Sequence, residues 1–395
     1  MKKLTMAEWE KEYIAGTIKR FDQKYTMGRR HEWDLSLKKR MKTSSAIAEV
    51  SDLPGWTSID WAMRAASRSQ MGKLQLLNMS NPNQSYASDT VAKELRSNES
   101  SLKPPKGEKL DVSYPEKITR YIRKAAVYFG ADLVGICKLD HRWIYSHSYN
   151  TKETTDRHQP QEIPEEYKYV IVLGFGGGYY LRRYFPSYIN TWSSNGYRQV
   201  LTNAHLSAFI RYLGFKAIDC SFDDVALAIP QAMQAGLGQL GRNNLLITPQ
   251  FGESVRLGQI LTDLPLIPDD PIDFGVTEFC NVCKKCANAC PSGSISHGNR
   301  TPETISISNV AGEQKWQFSP ETCHIHLYGH KDPCQTCISV CPFTKPNTFL
   351  HQGVRWFIDK ARWADSFYAR MNDVFGYDKP KKADNFWEDW EPEKY

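Results

Sequence analysis

The chain has 395 residues, a formal net charge of +6 at pH 7, and 41% hydrophobic and 12% aromatic residues. These fractions suffice for a sizeable core, and no apolar run reaches the roughly 18 residues of a membrane-spanning helix. The positive excess is small and both signs of charge are interspersed. The composition therefore argues against a nucleic-acid partner and favours a solvated surface that suits an acidic redox partner.

The N-terminal part is charged and shows no clear hydrophobic period over residues 1–77. Arg29-Arg30 would fit a twin-arginine export leader, but the HEWDLSLKKR that follows is charged where a leader is apolar. We therefore expect a cytoplasmic protein, the alternative being an exported, membrane-associated protein whose leader was removed from this numbering. Residues 78–109 are polar and turn-rich and predict a long surface excursion. Residues 1–110 are expected to wrap the core.

From Pro115 the sequence predicts alternating helices and strands. A proline at the helix start, apolar residues at helical spacing and a closing Gly130 predict the first helix. Strands are predicted at LVGIC from Leu133 and at YVIVLGF from Tyr169. The second strand runs into the glycines at 176–178, which form either a turn or a place where the backbone approaches a cofactor.

The alternation continues through the rest of this region. A helix is predicted from about Gly196 to Leu213, with Gly214 closing it. A strand at KAIDC, a helix at IPQAMQAGLG and strands at LLIT and SVRLGQIL follow. Interleaved helices and strands predict an α/β or α+β sheet domain over residues 111–270.

Eight of the ten cysteines stand in two sets that each end in Cys-Pro. The first set reads C-x2-C-x2-C-x3-C-P, and the second has a longer first interval. Such runs are typical of proteins with two iron–sulfur clusters, in which the fourth cysteine ligates the other cluster. We therefore predict two 4Fe–4S clusters. Their predicted ligands are Cys280, Cys283, Cys286 and Cys341 for one cluster, and Cys323, Cys334, Cys337 and Cys290 for the other.

Structural zinc and disulfides are the rival interpretations of these cysteines. Zinc ribbons also use C-x2-C pairs, but they seldom need three ligands two residues apart plus a Cys-Pro, twice. The clusters therefore define a bacterial-ferredoxin-like module over about residues 271–350. The two remaining cysteines, Cys137 and Cys220, lie in or beside apolar runs and are predicted to be small core residues.

The last segment, residues 351–395, is rich in tryptophan. We predict that it packs over the core rather than forming a stacking platform. Its tryptophans are Trp356, Trp363, Trp387 and Trp390.

Five runs of sequence carry a resemblance to a known family. They are SNGYRQVLTNAHLSAFIRYLGFKAI, AIPQAMQAGLGQLGRNNLLITPQFGESVR, TDLPLIPDDPIDFGVTEFCNVCKKCANACP, ADLVGICKLDHRWIYS and DQKYTMGRRHEWD. With them the chain resembles the corrinoid-dependent reductive dehalogenases from Phe21 to His351, most specifically over residues 236–290. The resemblance implies an α+β fold, with a nitroreductase-like corrinoid-binding domain followed by the two-cluster module.

The resemblance also implies a reaction and its residues. In that family a base-off cobamide receives electrons from the two clusters, Co(I) cleaves a carbon–halogen bond, and a tyrosine supplies the proton. The matching tyrosine is Tyr197 and the matching arginine is Arg256. Asp223 stands where well-studied members have asparagine, and its carboxylate would repel a phenolate or a departing halide, so the substrate class stays open.

These residue types make chemical sense. A tyrosine is a poor acid at neutral pH unless a cation stabilises its phenolate, and an arginine is always charged. Arg256 shares a strand face with Gly258, so its guanidinium can enter a cavity. The alternatives are ordinary ones, since most tyrosines are packing residues and most strand arginines are paired at a surface.

Cobamide contacts are expected from backbone, at Gly176, Gly236, Gly238 and Gly241. The Asp-x-His-x-x-Gly signature of a histidine lower ligand does not occur in the sequence. Three histidines beside the second cysteine set are interpreted as exposed loop residues or donors to cluster sulfur rather than ligands. They are His324, His326 and His330.

Two other functions remain open from sequence. An epoxyqueuosine reductase shares the corrinoid domain and paired clusters but acts on a tRNA base and would need a basic extension, whereas the chain ends in the acidic FWEDWEPEKY. A plain electron carrier would leave the large domain before Cys280 without a role. The expected partners are a small halogenated organic substrate and a redox donor protein or reduced carrier, with no nucleic acid. A small membrane-anchor subunit and a homodimer are left open.

Overall fold

The structure is a computed structural model of the chain. It describes residues 1–41, 55, 57–60, 62, 110–150, 157–179, 181–184, 191–220, 225–329, 334–346, 348–376 and 385–388. The predicted surface excursion at 78–109, together with Asp223, His330 and Trp390, lies outside the described residues.

The described secondary structure comprises short and long strands interleaved with helices. The strands are β1 (Lys2–Lys3), β2 (Leu133–Lys138), β3 (His147–Tyr149), β4 (His158–Pro160), β5 (Tyr169–Gly176), β6 (Ala217–Cys220), β7 (Gln239–Leu240), β8 (Leu246–Ile247), β9 (Val255–Thr262) and β10 (Ile272–Asp273). The helices are α1 (Met6–Tyr13), α2 (Met27–Trp33), α3 (Leu35–Arg40), α4 (Pro115–Tyr128), α5 (Thr191–Tyr212), α6 (Ala228–Gln234), α7 (Val276–Cys283), α8 (Lys285–Ala289), α9 (Pro320–Gly329), α10 (Thr336–Ser339), α11 (Phe349–Lys360), α12 (Asp365–Val374) and α13 (Asn385–Glu388).

The central sheet has four strands in the order β2-β5-β9-β6, and every neighbouring pair is antiparallel. Antiparallel pairing with helices packed on the sheet makes the fold α+β, which confirms the predicted fold class. The central strand β5 is buried along nearly its whole length, which is why its sequence YVIVLGF is continuously apolar rather than alternating.

The two faces of β5 contribute to two hydrophobic clusters. Val170 and Val172 pack on one side, with Trp143 and with Trp9 of α1. Ile171 and Leu173, which alternate with these valines, pack on the other side, against α4 and α5. This two-residue alternation is the expected geometry of a strand covered on both faces.

The helix predicted from Pro115 is α4, with proline in its first turn and Ile122 fully buried. Gly130 follows with φ of +114°, a conformation that glycine adopts without strain. The helix predicted from about Gly196 begins earlier, at Thr191. The strand predicted at LLIT is reduced to β8, which pairs with β7 alone.

The N-terminal residues form short helices that the weak hydrophobic period does not reveal. Thr5 and Glu8 form a capping box at the start of α1, and Trp9 is buried in the core. β1 pairs with β10, so the N-terminus lies against the start of the cysteine module. Among the described residues, no helix has the length and apolar composition of a membrane span.

The C-terminal helices contact the core through other side chains than their tryptophans. Trp363 is 89% exposed and Trp356 is 57% exposed. The helices α11 and α12 instead bury Ile358 and Ala369 against Phe343. Because only one face of each helix meets the core, the tryptophans on the other faces stay in solvent.

Gly238 allows the backbone before β7 to pass very close to the backbone of β8. A Cβ atom added there would lie 2.1 Å from the carbonyl oxygen of Ile247, a backbone atom that cannot move away alone. We expect Gly238→Ala to lower the unfolding temperature strongly or to prevent folding. Gly353→Ala is the matched control, because it lies inside α11 with open space around it and should stabilise by up to about 1 kcal/mol. Equal unfolding temperatures of the two variants would contradict this packing.

Candidate functional site

The first cysteine set is held by two consecutive short helices. Cys280 and Cys283 lie on α7 and Cys286 on α8, with Lys284 between the helices at φ of +52°. Cys341 comes to them from after α10. Burial raises the pKa of the Cys341 thiol well above its usual range, and the negative charges of Glu253, Cys280 and Cys286 raise it further. Cys341 therefore lies beside the first set although it is distant in sequence.

The second set is assembled in the same crossed manner. Burial raises the pKa of Cys323 to about 11, and the charges of Cys334 and Cys290 add to this. For Cys290 itself, burial also raises the pKa, but hydrogen bonds from Ser292 and Ser294 outweigh burial and lower it. The backbone N–H of Ser294 donates to Cys290 Sγ at 3.3 Å.

This grouping of neighbours is the one that the predicted crossed ligation requires. All ten cysteines are described, and none forms a disulfide. A thiolate is disfavoured in such buried surroundings unless a cation compensates it, and eight thiols in two groups of four are the donor set of two iron–sulfur clusters. The residues fit these cofactors, while ligation by each cysteine stays a prediction.

A buried polar group lies between the two sets. Asn243 donates from Nδ2 to Glu253 Oε2 at 2.9 Å, and both residues are only 4% exposed. Burial raises the pKa of Glu253 to about 7, against the hydrogen bonds from Asn243 and Cys341 and the charge of Arg182. Burial and the charge of Glu253 in turn raise the pKa of Cys337, which also has a hydrogen bond with Asn243. Asn243 and Glu253 thus contact Cys337 and Cys341, one cysteine of each predicted cluster.

Arg242 joins the cysteine module to the rest of the chain. Its buried guanidinium donates from Nε to the Cys280 carbonyl at 3.0 Å and from Nη1 to those of Ser296 at 2.7 Å and Gly298 at 3.0 Å. It also stacks over Trp316, 5.0 Å from the ring centroid. The planar fork of an arginine is suited to holding several carbonyls in one plane.

The interpretation of the histidines near the second set as exposed loop residues is wrong for the two that are described, whereas the alternative, donation to cluster sulfur, stays a prediction. His324 and His326 lie within α9, and His324 is 8% exposed. Burial and the neighbouring charge of His31 lower the pKa of His324 to about 4. The helix turns His324 inward, which the hydrophilic sequence around it does not indicate.

The candidate catalytic residues lie on adjacent elements. Tyr197 is on α5 and 44% exposed, and Arg256 is half-buried on β9. Arg256 Nε donates to Gln199 Oε1, and Gln199 donates from Nε2 to the Leu257 carbonyl at 2.6 Å. Gln199 therefore ties Arg256 to the helix that carries Tyr197. Asp223, the third candidate, falls outside the described residues.

The four glycines predicted to contact cobamide all lie close to protein atoms. A Cβ at Gly176 would clash with the Phe251 ring, and one at Gly236 or Gly238 with a backbone carbonyl oxygen. One at Gly241 would lie 3.1 Å from both Asn243 Oδ1 and Glu253 Oε1. Chain packing thus already explains these glycines, and their contact with a cofactor stays a prediction.

Polar side chains are buried on both faces of the sheet, Ser207 and Asn203 from α5 on one face and Gln231 from α6 on the other. Ser207, Gln231 and Asn203 are fully buried. Ser207 Oγ, Gln231 Nε2 and Asn203 Oδ1 have no hydrogen-bond partner among the residues that the structure describes. Buried polar atoms normally have partners. A corrinoid, whose rim carries amide groups that both donate and accept, has the chemistry to supply them.

Comparison with known proteins agrees with this site. The family model of the 4Fe–4S double cluster binding domain matches residues 279–344, a range that contains both cysteine sets. The tetrachloroethene reductive dehalogenase of Sulfurospirillum multivorans is 36% identical over 303 residues, which are 70% of this chain and 60% of that protein. The chain is a homologue of the reductive dehalogenases. The predicted resemblance is thereby confirmed, and a double-cluster domain is favoured over zinc ribbons.

Two further matches qualify this homology. A solved reductive dehalogenase, described as suggesting a mechanism for B12-dependent dehalogenation, superimposes with a TM-score of 0.70 at 21% identity, covering 95% of this chain and 48% of that one. The epoxyqueuosine reductase of Listeria monocytogenes is 35% identical over 128 residues, 32% of this chain and 31% of that protein. This reductive dehalogenase homologue spans about 60% of the length of the curated reductive dehalogenase it matches.

Several site residues escaped the sequence analysis. Gln199, Arg242 and Glu253 lie in two of the runs that carry the family resemblance, but nothing in their spacing marks them. Asn243 in GRNN and Glu253 in FGES are polar residues flanking the apolar LLIT, the one signal that could have pointed to them. Their roles depend on partners that are distant in sequence.

Cys290→Ala tests the crossed grouping of cysteines. In this homologue the substitution should disturb the cluster built on Cys334 and Cys337 and leave the one built on Cys283 largely intact. Electron paramagnetic resonance of the reduced protein, with iron content, measures this. Cys137→Ala, a buried core cysteine, should leave both signals unchanged. Loss of the Cys283 cluster instead would contradict the grouping.

Arg242→Met removes the donors to three carbonyls while keeping much of the side-chain volume. A buried acceptor left without its donor costs roughly 1–3 kcal/mol. The variant should therefore lose iron at a lower temperature than the wild-type protein during an anaerobic thermal ramp. The control is Arg120→Met on the exposed face of α4. If both variants retained iron equally, Arg242 would have no part in holding the module.

Proposed function

We propose that the protein catalyses reductive dehalogenation of a small organohalide, using a base-off cobamide and two 4Fe–4S clusters. The observation that carries the proposal is the course of one chain segment. Glu253 lies between the two cysteine sets, and Arg256 stands three residues later on β9. Three extended residues span at most about 11 Å. The cluster module and the candidate catalytic arginine are therefore neighbours.

Homology supports the same reaction. The relative from Sulfurospirillum multivorans is a tetrachloroethene reductive dehalogenase, and the match covers 70% of this chain. The structural neighbour is described as B12-dependent. The unpartnered polar atoms of Ser207 and Asn203, on the helix that carries Tyr197, give a cobamide hydrogen-bonding groups. Bound there, cobamide supplies a reduced cobalt able to break a carbon–halogen bond.

The residues of this chain supply the proton and position the substrate. In our proposal Tyr197 holds the proton that replaces the halogen. The positive charge of Arg256 favours the phenolate that remains, because opposite charges nearby favour an ionised form. Gln199 fixes the orientation of Arg256 through its hydrogen bond to Nε. Asp223 in place of the family's asparagine adds negative charge and narrows the substrates accepted.

Reduction of a tRNA base is the second candidate, and it has less support. The match to an epoxyqueuosine reductase covers only 32% of this chain, against 70% for the dehalogenase. Positive and negative residues are interspersed along the sequence, and the net charge is only +6, whereas a nucleic-acid-binding surface concentrates positive charge in one region. A plain electron carrier would leave the domain that carries Tyr197 and Arg256 without a use.

Tyr197→Phe tests the proton donor. The variant keeps the ring and removes the hydroxyl, so halide release at saturating reductant should fall by roughly 10²-fold or more, the usual scale for a positioned general acid. Iron and cobalt contents should match the wild-type protein. The measurement is halide release from a panel of organohalides by protein reconstituted with cobamide.

Two variants calibrate that measurement. Arg256→Lys keeps the charge but loses the planar fork, so we expect a smaller loss. Asp223→Asn restores the family's residue and should be tolerated. Wild-type turnover by Tyr197→Phe would assign the proton to another group. No halide release by the fully loaded wild-type protein from any halide of the panel would overturn the proposed function.

A further inference from the structure

Three metal-binding side chains that belong to neither cysteine set lie close together. Asp22, His147 and His158 each offer one ligand atom, and these atoms all lie within 4.8 Å of one another. His158 Nε2 is 2.8 Å from Asp22 Oδ2. The rings of His147 and His158 are 4.6 Å apart between centroids. The proposed reaction uses none of these residues.

The β3–β4 hairpin sets the positions of the two histidines. The strands are antiparallel, with His147 opposite Pro160 and Tyr149 opposite His158. Residues two apart on a strand point to the same face, so His147 and His158 are diagonal neighbours on one face. Their approach follows from strand register rather than from two independent loops.

The carboxylate is brought to the histidines by a separate element. Asp22 precedes a short 3-10 turn at Gln23–Tyr25 and accepts from the Lys24 N–H through Oδ1 at 2.9 Å. That bond orients the carboxylate and leaves Oδ2 toward His158. The buried Gln23 side chain accepts from the Tyr149 N–H at 2.7 Å, which holds the turn against the hairpin.

We propose that Asp22, His147 and His158 bind one zinc ion. Two imidazoles and one carboxylate are ligands that zinc takes at about 2.0–2.2 Å, with a fourth position open to water. Tetrahedral ligands at that distance lie about 3.4 Å apart. The present separations bracket that spacing, since His158 Nε2 and Asp22 Oδ2 are 2.8 Å apart and all three atoms lie within 4.8 Å of one another.

A hydrogen bond to one histidine suits metal binding. His147 Nδ1 lies 3.1 Å from Ser146 Oγ. With the proton on Nδ1, Nε2 carries the lone pair that a metal needs. Ligating histidines commonly use their second ring nitrogen in such a bond. The backbone of Ser146 is held as well, because its N–H donates to the Phe21 carbonyl at 2.8 Å.

The ion would fasten the N-terminal segment to the hairpin. The same hairpin region supports Val225: Tyr145 N–H donates to the Val225 carbonyl at 3.0 Å, and Gln161 Nε2 at 2.7 Å. Val225 is the first described residue after the segment that contains Asp223. The site therefore acts as a structural clamp that joins Asp22 to the β3–β4 hairpin, next to the residues that hold Val225.

The test uses untagged protein with its full iron content, equilibrated anaerobically with low-micromolar zinc chloride. We expect about one zinc per chain by mass spectrometry of the dialysed protein. His158→Gln should reduce bound zinc at least 10-fold. His205→Ala, an exposed histidine on α5, should bind zinc as the wild-type protein does.

X-ray absorption at the zinc edge identifies the ligand atoms in the wild-type protein itself, so this test does not depend on whether a variant folds. It should show nitrogen and oxygen scatterers at about 2.0–2.2 Å and no sulfur. Sulfur at about 2.3 Å would mean that zinc occupies the cysteine sets and would overturn the proposal. Failure of the wild-type protein to retain zinc, or equal retention by His158→Gln, would overturn it too.

Discussion

Burial of the cysteine thiols is the constraint on which the rest of the structure depends. Burial raises the pKa of Cys341 and Cys337 above the usual thiol range, so thiolates exist there only with compensating positive charge. Iron supplies that charge in a double-cluster domain. Other polar groups buried near the cysteines have also lost their contact with water, so the surrounding protein must supply their hydrogen-bond partners.

Two groups of polar side chains supply such hydrogen bonds. Arg242 donates to three carbonyls of the cysteine module. Asn243 and Glu253 stand between the sets, and Arg182, itself buried, reaches Ser254 Oγ at 2.9 Å. Because Glu253 continues into β9, the same segment that separates the cysteine sets also carries Arg256 into the sheet domain. The cysteine sets and the candidate catalytic Arg256 are thus parts of one packed unit.

Short sequence patterns correctly predicted those helices and strands whose residues carry a clear local signal. Proline and helical spacing located α4, and a continuous apolar run located β5. The N-terminal helices were missed because they are short and stabilised by tertiary burial of Trp9, although Thr5 and Glu8 carry a visible capping signal. Composition could not tell which residues of the C-terminal helices face the core: Ile358 and Ala369 do, whereas Trp356 and Trp363 are largely exposed. Cys137 and Cys220, predicted from their apolar neighbours, are buried as expected.

For the site, cysteine spacing predicted a double-cluster domain, because the turn around a cluster is a local structure. Gln199, Arg242 and Glu253 could not be predicted, since each acts through a partner more than ten residues away or through burial that only the fold creates. Mössbauer spectroscopy of protein reconstituted with ⁵⁷Fe, together with total iron and sulfide, tests the double-cluster centre most directly. About eight iron and eight sulfide per chain, all in 4Fe–4S clusters, is the result predicted here. About four iron and four sulfide per chain in protein that takes up no more on further reconstitution, or zinc in place of iron, would contradict it.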